Sequence, residues 1–237
     1  MKKGDEQLND SFINKGKALT VAGHKGNGLP DVKSWVLMIL ITLSGGFSDS
    51  YSYLARGHVL SNAQTGNVVF LGQHLFSGNI HGALKYILSI TVYCAGLFLA
   101  GVFEKHYKGK FKWGRFILVT EVVFMAIVGF LGHSESLNNI ANMMIAFVCG
   151  MQVHSFSLFG KYDYTSTMCT GNMKKGVEAL GTFLSTKEKP YLSKALSYLA
   201  VIVIFAIGAG VGYIATNSLS TSAIWICCAL LGAAIFI

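Results

Sequence analysis

Six long apolar runs divide the chain: Trp35–Leu54, Leu84–Phe103, Phe116–Leu131, Ile140–Phe159, Leu196–Ala215 and Leu219–Ile237. Several approach 20 residues, which at about 1.5 Å per residue matches the roughly 30 Å hydrocarbon core of a bilayer. The runs are continuously apolar rather than alternating, so they predict helices and not the strands of a membrane barrel. Two shorter segments, Thr65–Ser77 and Thr170–Ser185, hold 13 and 16 residues and are interrupted by polar positions. Each is too short for a full crossing. The chain therefore predicts an all-α polytopic membrane protein. It has six transmembrane helices plus two short helices that are re-entrant or interfacial. Residues 1–34 carry six Lys and five Gly and predict a flexible cytoplasmic tail before a single membrane domain over 35–237. The first apolar run begins at Trp35, too late and too long for a signal-peptide core.

Charge sets the predicted topology. With six spans and the tail inside, regions 1–34, 104–115 and 160–195 hold 17 of the 19 Lys and Arg residues. Only Arg56 and Lys85 fall outside. Eight spans would move the 104–115 cluster to the outer face, against the positive-inside bias. Composition agrees with this class: 52% of residues are hydrophobic and 13% charged, against roughly 25% charged in an average soluble domain. The net charge of +8 comes from short clusters between apolar runs. It predicts contact with anionic lipid headgroups and no nucleic-acid partner.

The chain also repeats at an offset of 105. Thr65-Gly66-Asn67 recurs as Thr170-Gly171-Asn172, and Gly45, Ser50, Tyr51 and Ser52 align with Gly150, Ser155, Phe156 and Ser157. The two units cover about 35–132 and 138–237. Three spans per unit invert the second unit against the first, giving a 3+3 inverted repeat. The first Thr-Gly-Asn segment would then dip in from outside and the second from the cytoplasm. Short, Gly-interrupted segments at matching places in inverted halves point to a transport site. Lys174, Lys175 and Glu178 also fit an amphipathic helix lying flat at the interface.

The string Gly45-Gly46-Phe47-Ser48-Asp49-Ser50-Tyr51-Ser52-Tyr53, followed by Asn62-Ala63-Gln64-Thr65-Gly66-Asn67 and Leu71-Gly72, resembles the YoaK-like family of bacterial inner-membrane proteins. Gly150-Met151-Gln152, Thr167, Thr170-Gly171 and Glu121 fit the same pattern. Asn172 and His154 depart from it. The resemblance covers about residues 35–237. It implies a multi-spanning protein of the bacterial cell membrane in a domain family of unknown function.

Ionisable groups inside spans are costly and are functional candidates by default. Asp49, His154 at the matching place in the second unit, and Glu121 stand out. Glu121 would otherwise pair with Arg115 or a nearby Lys. Thr65-Gly66-Asn67 and Thr170-Gly171-Asn172 suit helix starts, where Thr or Asn caps, Gly allows close approach, and free N–H groups attract an anion. Asp49 itself is one candidate for that anion. These nine residues form the predicted substrate- or ion-binding set. The chain has no His-Glu-x-x-His, no Gly-x-Ser-x-Gly, no P-loop and no Cys-x-x-Cys, so neither an enzyme nor a metal or other cofactor is expected. Gly208, Gly210 and Gly212 predict a close helix-packing face. The expectation is a small-solute transporter or permease, with membrane lipids, an unidentified solute and a homo-oligomeric copy as partners. The alternative is a non-transporting membrane scaffold or sensor.

Overall fold

In the computed structural model, residues 32–107, 113–159, 162–164 and 167–237 are described. The predicted tail up to residue 31, and Lys108, Lys110, Lys112 and Lys161 of the basic clusters, lie outside them. The elements are α1 (Val32–Ala55), α2 (Gln64–Phe76), α3 (Ile80–Tyr107), α4 (Trp113–Phe130), α5 (Glu135–Ser155), α6 (Cys169–Thr186), α7 (Lys189–Leu219), a 3₁₀ turn (Ser220–Ala223) and α8 (Ile224–Ile235). Between α5 and α6 lies one antiparallel ladder, β1 (Leu158–Phe159) with β2 (Tyr162–Asp163).

Among the described residues, three stretches are long and apolar enough to cross a membrane: Ile80–His106, Trp113–Phe130 and Lys189–Ile235. The last takes in two of the six predicted runs. Helices α1 and α5 are of spanning length, but their interiors carry many polar residues. Ser44, Ser48, Asp49 and Ser52 are buried in α1, as are Asn138, Asn142 and Gln152 in α5. The predicted run Ile140–Phe159 is shifted. Its helix begins earlier, where the Ser134 side chain caps by accepting the Leu137 N–H (3.3 Å). It ends at Ser155, before the ladder. A hydrophobicity pattern misses such a start because the capping residues are polar.

The outer surface is apolar and the centre is not. Val119, Val123 and Ile127 of α4 are exposed, and so are Leu199, Val203, Ile207 and Val211 of α7. Each set recurs at four-residue spacing, one helix face. Apolar faces turned outward around buried Asp, Glu, Asn and Gln suit lipid as the solvent, because a soluble monomer rarely exposes contiguous apolar patches of that size.

Packing is pairwise. Helix α1 lies against α7, and α3 against α5. The short helix α2 rests on α3, and α6 on α7. Helix α4 meets both α5 and α8, and α8 also meets α1. Glycines set the two closest crossings. A Cβ on Gly46 would collide with Phe205 O and Ala209 N, and Cβ atoms on Gly208 and Gly212 would collide with the backbone of Leu43 and Phe47. Across the other crossing, a Cβ on Gly150 would strike Tyr93 O, and one on Gly96 would strike Phe147 O. Small residues are what let backbones approach so closely in a membrane. Gly210 faces open space, so two of the three glycines predicted to pack do so.

One end of the bundle gathers the C-terminal ends of α1, α4 and α7 with the N-terminal ends of α3, α5 and α8. The Arg56 guanidinium, just after α1, donates to Val128 O, Leu131 O and Gly132 O at the end of α4. Lys85 of α3 donates to Gly57 O (2.7 Å), and Tyr51 OH donates to Thr221 O (3.0 Å) before α8.

Candidate functional site

The polar centre is built around the middle of α1. Asp49 is 5% exposed, and its Oδ1 accepts the backbone N–H of Asn62 at 2.6 Å. Asn62 belongs to the segment that leads into α2. Its side-chain Nδ2 donates to Gly45 O (3.2 Å) and to Ser48 Oγ (3.0 Å). Ser61 Oγ donates to Ser52 Oγ (2.7 Å) and Ser48 O (3.3 Å). Residues 56–63 thus run back alongside α1 before α2 begins. Asp49 thus takes an amide of the leader, ahead of the Thr65-Gly66-Asn67 start.

The Thr-Gly-Asn residues divide by role. Asn67 is fully buried and grips Leu60 with both ends of its amide. Oδ1 accepts Leu60 N–H (2.9 Å), and Nδ2 donates to Leu60 O (2.6 Å) and to Gln64 Oε1 (2.8 Å). That clamp fixes the turn from leader to helix. Thr65 is exposed and caps nothing, since the cap position is Ala63 and makes no side-chain bond. A Cβ on Gly66 would meet only the Leu60 side chain (2.6 Å), and Gly171 has open space around it. The close-approach role predicted for these glycines therefore belongs to Gly45, Gly46 and Gly150 instead. In the second segment Thr170 and Gly171 are exposed while Asn172 is buried.

Both leaders touch Gly45 of α1. A Cβ on Gly45 would lie 2.5 Å from Thr167 Cγ2, and Thr167 sits just before α6. The carbonyl of the same Gly45 accepts the Asn62 side-chain amide. Cys169, the first residue of α6, is an electrostatic neighbour of Asp49. Among the described residues, Asn62 Oδ1 and Thr167 Oγ1 are buried without a hydrogen-bond partner. Both acceptors have been drawn out of water and left open, an arrangement that is rare without a use.

Glu121 and His154 stand apart from this centre. Glu121 is 1% exposed and accepts Gln152 Nε2 at 2.7 Å. Among the described residues it has no cationic partner, Arg115 included; Lys108, Lys110 and Lys112, the other side of that alternative, lie outside them. Gln152 Oε1 is left without a partner. His154 Nε2 pairs with Glu104 Oε2 of α3 at 3.0 Å, and Gly101 makes room for its ring. So His154 has a carboxylate of its own, and the structure does not join it to Asp49.

Sequence reasoning passed over Arg56, whose charge is wholly buried. It also gave no separate role to Asn62, Gln152 or Thr167, although all three lie in the strings that carry the family resemblance. Among the described residues no group of three or more His, Cys, Asp or Glu side chains is arranged to hold a metal ion.

An apolar exterior around a buried polar centre on helices defines a helical membrane protein. The chain belongs to the family described as "Protein of unknown function (DUF1275)", whose model matches residues 37–237, as the YoaK-like resemblance implied. Neither the curated proteins nor the solved structures contain a match to it.

Proposed function

We propose that the chain is a small-solute permease of the bacterial inner membrane, with six spans, a cytoplasmic tail and two re-entrant segments in inverted halves. The observation that carries this reading is the convergence of both leaders on Gly45, beside a buried carboxylate, between helices whose outer faces are apolar. Irregular backbone at membrane depth is tolerated only where it is buried in protein or lines a cavity, and transporters build their sites from such breaks.

The packing pattern supports the inverted halves. Matching α1 with α5, α2 with α6, α3 with α7 and α4 with α8 turns every major contact into another: α1–α7 into α5–α3, α2–α3 into α6–α7, α1–α8 into α5–α4. The α4–α8 contact maps onto itself, as an axis between them requires. The gathered helix ends support the alternation of six spans. The glycine notches align Gly46 with Gly150, one residue short of the 105 spacing that relates the Thr-Gly-Asn motifs. In helix packing Asp49 therefore matches Val153 rather than His154. A one-residue difference between the leaders accounts for both spacings.

Topology is tested by cysteine labelling. A Cys at exposed His133 is expected to react with a membrane-impermeant reagent in intact cells. One at exposed Glu188 is expected to react only after permeabilisation. The reverse pattern would sink the orientation.

Activity is tested by screening solutes for thermal stabilisation of the purified protein, then measuring uptake of hits into proteoliposomes. Asp49→Asn keeps the shape and removes the charge. Uptake is expected to fall roughly tenfold or more, the scale of one charge-assisted hydrogen bond. Unchanged rate and pH dependence would remove Asp49 from the mechanism. The scaffold reading draws on a different observation, that Asp49 and Asn67 both spend acceptors on the chain's own amides. A stable protein that takes up no solute would favour it.

A further inference from the structure

At the gathered end of the bundle lies a second polar region, distinct from the Asp49 centre. It is a cavity of about 380 Å³ whose walls include Arg56, His58, Lys85, His133, Glu135 and Asn138. That volume suits a small metabolite. The wall is built by an uncommon backbone. Gly57 and His58 both have left-handed φ, +86° and +62°, a region few non-glycine residues adopt. This turn aims Gly57 O at Lys85 Nζ (2.7 Å) and His58 O at Tyr86 OH (3.2 Å). It ties the end of α1 to the start of α3 and sets Lys85 at the cavity.

The charge balance of this wall is incomplete. Arg56 is fully buried. Its five N–H groups go to Tyr51 OH, Asn138 Oδ1, Val128 O, Leu131 O and Gly132 O. All of these are neutral acceptors, and among the described residues Arg56 has no carboxylate partner. Carbonyl dipoles at the end of α4 offset part of its charge. Lys85 spends one donor on Gly57 and keeps two. The start of α5 borders the same space, with the positive end of its dipole. The only acidic wall residue, Glu135, is an electrostatic neighbour of Lys85, but its carboxylate is paired with His81 (2.9 Å) at the surface, where both side chains are over 70% exposed, so it offsets little of the wall's positive charge. A buried cation without an anion is an unfavourable state that a bound counter-ion relieves.

We propose that this cavity binds a small oxyanion, a carboxylate or phosphate group, held by Lys85 under the field of Arg56. If the chain is a permease, this would be the outer recognition site for an acidic solute. The inference rests on the permease reading only for that role, because binding is measured without transport. A free anion and a lipid headgroup share the chemistry, and the experiment separates them.

Thermal unfolding of the detergent-purified full chain is followed over series of phosphate and of succinate, with chloride at matched ionic strength as control. One of the oxyanions is expected to raise the midpoint beyond chloride. Lys85→Gln should weaken apparent affinity roughly tenfold, the loss of one charge-assisted hydrogen bond. Glu135→Gln should strengthen it about twofold to fivefold, as an exposed charge does. Should Lys85→Gln fail to fold, His133→Glu adds a negative charge at an exposed position and is expected to weaken binding in its place. In nanodiscs, stabilisation by phosphatidylglycerol over phosphatidylcholine that Lys85→Gln abolishes, without any response to free anions, would assign the oxyanion to a lipid. Equal shifts with oxyanions and chloride, together with no preference for phosphatidylglycerol, would overturn the proposal. So would a response that neither Lys85→Gln nor His133→Glu alters. Failure here leaves uptake measured in proteoliposomes untouched.

Discussion

Arg56→Ala is expected to cost about 3–5 kcal/mol of stability, the scale of removing one side of a buried charged interaction. The guanidinium bonds the ends of two helices into one block. Without it, Leu131 O, Gly132 O and Asn138 Oδ1 lose this donor, while Val128 O keeps the Leu131 N–H (3.1 Å), and an acceptor orphaned where water cannot reach it costs about 1–3 kcal/mol. Tyr51 OH loses a donor as well, while keeping its own bond to Thr221 O. Arg56→Lys keeps the charge but brings three donors from one point instead of five from a plane, so it should recover only part of the loss. The measurement is the unfolding midpoint in detergent. A midpoint in Arg56→Ala equal to the natural chain's would mean that water or lipid already satisfies those carbonyls.

The glycine notches give the second large effect. Gly46→Ala and Gly150→Ala are each expected to destabilise by about 1–3 kcal/mol, the scale of overpacking. The added methyl meets backbone oxygen, Phe205 O in one case and Tyr93 O in the other. A backbone cannot swing aside as a side chain can, so the whole helix pair must separate. Gly171→Ala and Gly210→Ala serve as contrasts. Both positions lie within helices and face open space, and alanine there should be neutral or stabilising by up to about 1 kcal/mol. If all four variants melt alike, the close crossings do not determine stability.

The helices were legible because lipid makes one demand that a linear pattern records, a sustained apolar run. Their ends were less so. The start of α5 depends on Ser134, a polar cap that a hydropathy reading sets aside. The identity of Asp49 as a candidate was legible from cost alone, but its partner was not. Asn62 lies 13 positions away and reaches it only because the chain doubles back. Arg56 looked like a stray charge outside the expected basic clusters, because three of its five acceptors are backbone oxygens at the end of α4. Main-chain oxygens carry no sequence signature. Thr65 and Thr170 show the converse: both are exposed, while Asn67 and Asn172 of the same repeated motif are buried.

The contact between Asp49 and the leader of α2 has a consequence for what reaches that depth. The carboxylate is a ligand tethered to its own receptor. Its effective concentration at the leader amides is set by chain geometry, millimolar or above for groups held this near. A dissolved anion present at micromolar levels competes with that tethered group and loses. In the permease reading, the Asn62 amide opens to exchange only when Asp49 is neutralised by a proton or a cation, or is drawn away by movement of α1 against the leader. In that reading the tether is a threshold, keeping the amide closed to free anions until one of those events releases it.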